Sequence, residues 1–302
     1  MISIKRRQFL FLTGLISLSV ADIFNKFLKI PSIVSAANAQ ELRNTSPSQN
    51  NPIFRFISIA DTGTGGENQY AVAEAMRDYS LQYPFDFVIM AGDNIYENGE
   101  IEKIEDVFEK PYKYLLEKGI KFHACLGNHD IRTNNGNQEI QYPDFNMQGR
   151  YYTFEYEPIQ FFALDTNINA DWKTELDWLE TELRNSDAPW KIVFAHHQIY
   201  SSRMYGLNQE FVDIFTPLFK KYGVQFYING HEHDYERTRP INGTTYLTCG
   251  AGGKQRFVGN SEWNEYSTSD FSFAAFEVYE DRIMVSGIDV NNRVFDQGMI
   301  SI

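Results

Sequence analysis

Five times along this chain a short run rich in Val, Ile and Phe stops at a residue that can bind a cation or turn the backbone. Residues 54–60 run into Asp61, and 85–91 into Gly92-Asp93. Residues 121–126 run into Gly127-Asn128-His129-Asp130, 191–195 into His196-His197, and 224–228 into Asn229-Gly230-His231-Glu232-His233. Unbroken apolar runs of this length predict strands buried on both faces. Helical patterns fall between them, over 68–79, 104–118, 171–185 and 209–222. The clearest places Trp172, Leu176, Leu179 and Leu183 on one helix face. This alternation predicts βαβ units in a mainly central sheet, hence an α/β fold. In such sheets ligands bind beyond the carboxyl ends of the strands, where this chain carries its carboxylates and imidazoles. After His233 the pattern turns to strands, at 244–249, 271–279, 282–289 and 294–301, which predict a second sheet packed on the first.

Composition narrows the function classes. The 302 residues are 43% hydrophobic and 15% aromatic, which excludes a wholly disordered chain. The formal charge of −13 argues against a nucleic-acid binder, which would need basic patches. Two cysteines, Cys125 and Cys249, exclude a multi-disulfide framework and fall inside predicted strands, so they read as buried free thiols.

The first 39 residues differ from the rest. They hold five basic residues (Lys5, Arg6, Arg7, Lys26, Lys29) and one acid, Asp22, a net +4 that leaves about −17 on the remaining chain. Lys5-Arg6-Arg7-Gln8-Phe9-Leu10 opens a largely apolar stretch over 9–20, shorter than the ~20 residues that span a bilayer. Ala37-Asn38-Ala39 follows as a small-x-small cleavage site. Paired arginines before Phe and Leu resemble a twin-arginine export signal, with Lys5 where Ser or Thr is usual. The organisation expected is a signal segment 1–39, a flexible linker 40–52 and one domain over 53–302. Twin-arginine export machinery is then a partner, stable membrane insertion is not expected once the signal is removed, and the location is periplasmic or extracellular.

Of six histidines, His129, His196, His231 and His233 stand at predicted strand ends beside Asp61, Asp93 and Asn128. Carboxylates, an amide oxygen and imidazoles without thiolates suit iron, manganese or zinc and not a cysteine-rich structural zinc site. The motifs in order are Asp61-Thr62-Gly63, Gly92-Asp93-Asn94-Ile95-Tyr96, Gly127-Asn128-His129-Asp130, Val193 to His196 and Gly230-His231-Glu232-His233. This order resembles the purple acid phosphatases, a branch of the calcineurin-like metallophosphoesterases, and within them the small, tartrate-resistant type. The resemblance covers about 53–302 and includes Arg150-Tyr151-Tyr152-Thr153-Phe154 and Ala163-Leu164-Asp165-Thr166-Asn167.

The resemblance implies a two-sheet sandwich with flanking helices and a dinuclear metal centre at the strand ends. Asp61, Asp93, Tyr96 and His233 would hold Fe(III). Asp93, Asn128, His196 and His231 would hold Fe(II), Zn or Mn, with Asp93 bridging. Most relatives carry a metal-binding His where this chain has Gly63, and the phenol of Tyr96 replaces it. A tyrosinate is a strong donor to ferric iron.

The activity implied is acid phosphatase, the hydrolysis of small phosphomonoesters by a metal-bound hydroxide. A phosphodiesterase or nucleotidase on the same core is the alternative. His129 is the candidate to stabilise the phosphoryl group or protonate the leaving oxygen. Tyr205 stands where the family commonly has another histidine and is the candidate for a substrate hydrogen bond. His197 is a further substrate-contact candidate, and Glu232 reads as a hydrogen-bonding neighbour. A body of about −17 repels bulky polyanions, which favours small esters.

Overall fold

The computed structural model describes residues 51–203 and 205–301. The predicted signal segment, and all but the end of the predicted linker, lie outside the described residues.

Two mixed sheets stack face to face. The first has the order β13-β12-β11-β1-β2-β3, with β1 (Phe54–Ile59), β2 (Phe87–Met90) and β3 (Lys121–Ala124) parallel. Antiparallel β11 (Ser272–Val278), β12 (Arg282–Asp289) and β13 (Val294–Ser301) extend it. The second has the order β10-β8-β9-β7-β6-β5-β4. There β5 (Ile159–Ala163), β6 (Trp190–Phe194), β7 (Phe226–Asn229) and β9 (Thr245–Cys249) run parallel. Antiparallel β4 (Tyr152–Tyr156), β8 (Tyr235–Thr238) and β10 (Asn264–Thr268) complete it.

Strand alternation builds three apolar layers. Phe54 and Phe56 of β1 face the other sheet, whereas Ile57 and Ile59 face outward. Phe56 stacks on Phe276 at 4.3 Å and meets Phe161 of the second sheet edge-on at 5.4 Å. Truncating such a buried ring to alanine costs about 3–5 kcal/mol. Outside the first sheet the helix Glu67–Gln82 brings Val72 and Met76 onto Ile57 and Ile59. Outside the second, Leu179 and Leu183 of the helix Trp172–Asn185 and Phe215 and Phe219 of the helix Gln209–Tyr222 cover Val193 and Tyr227. Helices on both outer faces explain why the parallel strands read as continuous apolar runs.

Local chemistry sets the helix ends. Asp171 accepts from the Thr174 amide at 3.4 Å and from its hydroxyl at 2.8 Å, and Asn208 accepts from the Phe211 amide at 3.2 Å.

Three expectations need correction. The strands after His233 do not form the second sheet by themselves: β11–β13 join the first, and β8–β10 join the second. The parallel strands also divide, three to one sheet and the rest to the other, because each βαβ unit buries its own helix on its own outer face. The helix expected over 104–118 is broken into a π turn, Glu105–Glu109, and a short α-helix, Lys113–Glu117. Pro111 lies between them, where it has no amide to donate and crowds the carbonyl four residues back. The hairpin β4–β5, paired from Tyr152↔Ala163 to Tyr156↔Ile159, was not among the predicted strands.

Candidate metal centre

Every ligand candidate lies just past the carboxyl end of a parallel strand: Asp61 after β1, Asp93 and Tyr96 after β2, Asn128 after β3, His196 after β6, and His231 and His233 after β7. Loop-to-loop hydrogen bonds draw these ends together. The His231 amide donates to Asp61 Oδ2 at 2.8 Å, the His129 amide to Asp93 Oδ1 at 2.9 Å, and the Gly230 amide to the His196 carbonyl at 3.1 Å. Asp61, Asp93, His231 and His233 all have positive φ, at 56°, 54°, 69° and 26°. Non-glycine residues enter this region at a cost of about 1–3 kcal/mol each, and such positions gather at functional sites.

Two groups of donors result. Asp61, Asp93 and His233 offer ligand atoms within 4.8 Å of one another. Tyr96 joins them, its hydroxyl donating to Asp61 Oδ1 at 2.8 Å and lying 3.2 Å from His233 Nε2. In the second group Asn128 Oδ1 is 3.2 Å from His196 Nε2 and 2.9 Å from His231 Nδ1, and the two imidazole nitrogens are 3.2 Å apart. Asp93 belongs to both, because its Oδ1 is also 3.4 Å from His196 Nε2.

The donor chemistry fits bound cations. His196 Nδ1 lies 2.9 Å from the Ala91 carbonyl, so Nδ1 carries a hydrogen and Nε2 is the atom turned toward Asn128 and Asp93; burial disfavours the imidazolium, but the Asp93 and Asp61 carboxylates outweigh it and raise the pKa of the metal-free ring. An amide oxygen, a carboxylate oxygen and two imidazole nitrogens thus converge, a donor set that a cation satisfies. Burial, helped by the neighbouring His196, His197 and His233, pushes His231 far down, which keeps it a neutral donor. Burial opposes ionisation of Asp93, but the His196 imidazole and the His129 amide outweigh it and hold the carboxyl below its ordinary range. Burial and the Asp61 and Asp93 carboxylates push the Tyr96 phenol far up, so its deprotonation calls for a compensating positive charge.

At Gly63 the Tyr96 loop takes the place of a side chain. A Cβ there would sit 2.1 Å from the Asn94 carbonyl oxygen, so the loop carrying Tyr96 fills the space a side chain would need. Gly230 answers a similar demand: a Cβ would lie 2.5 Å from Asp61 Oδ2.

The remaining predicted residues surround the two groups. His129 Nδ1 is 2.6 Å from the Glu97 carbonyl, so that nitrogen donates and Nε2 accepts from Arg132 Nη2 at 3.2 Å. Burial, with help from Arg132 and Lys254, lowers its pKa. Arg132 is thus a cation beside the centre that sequence reasoning missed, although it follows His129 by only three residues. His197 lies in the His196–His231 group. Its amide donates to Thr166 Oγ1 at 3.1 Å, and the Thr166 hydroxyl can donate back to Nδ1 at 2.9 Å, which leaves Nε2 as an N–H donor. Burial pushes its pKa down to about 3. The exposed Tyr205 ring stands 5.6 Å from the His231 ring. Its loop is tied to the ligand loop by Arg203, which donates to Glu232 at 2.7 Å and to the Phe257 carbonyl at 3.1 Å. Lys254 was also missed; it follows β9 through Gly250-Ala251-Gly252-Gly253, a strand-end signature like those that flagged the ligands.

Comparison with known proteins decides the family. The calcineurin-like phosphoesterase profile matches residues 54–235. Purple acid phosphatase 7 of Arabidopsis thaliana is 30% identical over 264 residues, which cover 76% of this chain and 79% of that protein. The chain belongs to the purple acid phosphatases. Tartrate-resistant acid phosphatase type 5 of Mus musculus is 25% identical over 239 residues, with 67% and 73% of the two chains covered. The solved purple acid phosphatase from yellow lupin seeds shares the fold, with a TM-score of 0.71 at 19% identity over 85% of this chain and 55% of that one. This family member is an enzyme, a metal-dependent phosphatase built on a dimetal phosphoesterase fold. No helix among the described residues is long and apolar enough to cross a membrane.

Proposed function

We propose that the chain is an exported acid phosphatase that hydrolyses small phosphomonoesters at a dinuclear centre. Asp61, Asp93, Tyr96 and His233 hold ferric iron, and Asp93, Asn128, His196 and His231 hold a divalent iron, zinc or manganese ion. The observation that carries the reading is the Tyr96 hydroxyl, 2.8 Å from Asp61 and 3.2 Å from His233, on a loop that fills the space at Gly63. Bound cations supply charge compensation to the phosphoryl group and activate water at mildly acid pH.

The chain's own residues do the rest. Asp93 serves both donor groups and sets their separation. The Nε2–H of His197 and the guanidinium of Arg132 are donors for phosphoryl oxygens. His129 Nε2, already accepting from Arg132, acts through that pair and takes up a proton for a leaving oxygen only at low pH. Tyr205 supplies a hydroxyl at the rim. Residues 1–39 direct export through the twin-arginine machinery.

Metal analysis and absorption of the purified protein test this reading. Bound iron with a broad visible band, lost in Tyr96→Phe, is the expected result. A colourless, iron-free but active enzyme would sink it. Rates on p-nitrophenyl phosphate above those on bis(p-nitrophenyl) phosphate are expected of a monoesterase, and the reverse order favours the diesterase alternative. Processing between Ala39 and Gln40 in periplasmic or culture fractions, abolished by Arg6→Lys with Arg7→Lys, tests the export route.

A further inference from the structure

Lys254 stands over Tyr96. Its ammonium lies 3.5 Å from the centroid of the phenol ring, on the face and not at the hydroxyl. Glu97 Oε1 holds the same ammonium at 2.8 Å. The main chain around Lys254 is equally constrained. The Gly252 amide donates to the Ala60 carbonyl at 3.2 Å, and the Arg256 amide donates to the His233 carbonyl at 2.9 Å. The lysine is therefore fastened on both sides to loops that carry Asp61 and His233, the two partners of the Tyr96 hydroxyl. Its side chain is about one quarter exposed, at 27%.

A cation over an aromatic face is attracted by the ring's negative face, and the attraction strengthens as water is excluded. It strengthens further when the ring gains negative charge, as a phenol does on becoming a phenolate. The stabilisation falls on the ring's occupied orbitals, the same electrons that a phenolate shares with a metal. A fixed cation there weakens the donor and leaves the metal a stronger electron acceptor.

We propose that Lys254 is a positioning residue that sets the donor strength of Tyr96, its ammonium clamped over the ring by Glu97. The proposal rests on the reading of Tyr96 as a phenolate ligand to ferric iron. In an acidic body this lysine is one of the few cations beside the centre, yet it is spent on the ring and on Glu97. A free lysine reserved for substrate would need neither contact.

The test uses the intact iron-loaded protein and reads its visible band. Removing the cation in Lys254→Met raises the phenolate orbitals and narrows the gap to the metal. The band then moves to longer wavelength, and the midpoint potential of the iron falls. Lys254→Arg, which keeps the charge, restores the wild-type position. Glu97→Gln, at an exposed side chain, loosens the clamp and gives a smaller shift in the same direction; it carries the test if Lys254→Met fails to fold. A Lys254→Met band superimposed on the wild-type band overturns the proposal, including the case in which only KM rises, because the lysine then serves the substrate. A wild-type protein with no band that depends on Tyr96 overturns the phenolate reading itself, and the proposal with it.

Discussion

The Tyr96 hydroxyl donates to Asp61 Oδ1 over 2.8 Å, joining a residue after the second strand to one after the first. In Tyr96→Phe the buried Asp61 oxygen loses that donor. The metal-stripped variant is expected to be less stable by about 1 kcal/mol, the range for one lost hydrogen bond, because His233 Nε2 remains 3.2 Å from the same oxygen. Urea unfolding of the stripped proteins measures this separately from any loss of iron. Coincident curves would mean that the hydroxyl contributes nothing to the empty scaffold.

Gly63→Ala puts a methyl where the Asn94 carbonyl already stands, 2.1 Å away. The loop from Asn94 to Tyr96 must retreat, since the clash is with backbone. A stability loss of about 1–3 kcal/mol is expected from overpacking. Displacement of Tyr96 should also reduce iron content, measured by metal analysis. Full iron loading in a folded Gly63→Ala protein would contradict this account of the loop.

Asp93→Asn preserves shape and the acceptor for the His129 amide but removes a charge that both donor groups share. Turnover is expected to fall about a thousandfold or more, equivalent to roughly 4 kcal/mol of lost transition-state stabilisation. Initial rates, with circular dichroism to check the fold, decide it. Turnover within tenfold of wild type would remove Asp93 from the shared position.

Chelation should destabilise the folded chain because the donors meet only in the folded state. A cation present at about 100 times its dissociation constant stabilises by about 2.7 kcal/mol. Melting curves before and after exhaustive chelation, and after iron is restored, check this. An unchanged midpoint would show that the donors bind no stabilising ion.

Glu175 makes stability depend on pH away from the metal centre. It is buried beneath the 165–167 loop and accepts from the Asp165 amide at 2.8 Å. Burial, aided by the Asp165 carboxylate, pushes its carboxyl up to about 8 from an ordinary 4.5. The folded chain thus keeps a proton that the unfolded chain releases, and this contribution is complete below the unfolded value. It is lost as pH rises through about 8. Unfolding free energy should decline over this window, and Glu175→Gln, which retains the acceptor, should flatten the slope. Equal slopes in the two proteins would assign the pH dependence to other groups.

Much of the site was legible because its chemistry is local to strand ends. Asp61 and His196 follow an apolar run directly, and Asp93, Asn128, His231 and His233 stand within five residues of the end of one, so period and punctuation marked them. His123 shows the converse: it interrupts a strand, and the structure stacks its ring on Phe154 at 3.9 Å, away from the centre. Cys125, one residue past β3, and Cys249, the last residue of β9, are buried and free, as thiols in apolar runs should be. Lys254 and Arg132 were legible only as cations near strand ends. Their importance lies in what they face, and neither residue type nor spacing encodes that.

Sequence alone determined the candidate donor set and the strands that carry it, because residue type and apolar periodicity are properties of the chain itself. Only the tertiary structure decided how strands were shared between two sheets, because that choice depends on which outer face each helix can cover. It also decided that the Tyr96 loop fills the space at Gly63 and that a lysine lies 3.5 Å above the phenol. Those relations join residues more than 30 and more than 150 positions apart. Close packing of whole layers brings them into contact, and no local pattern records it.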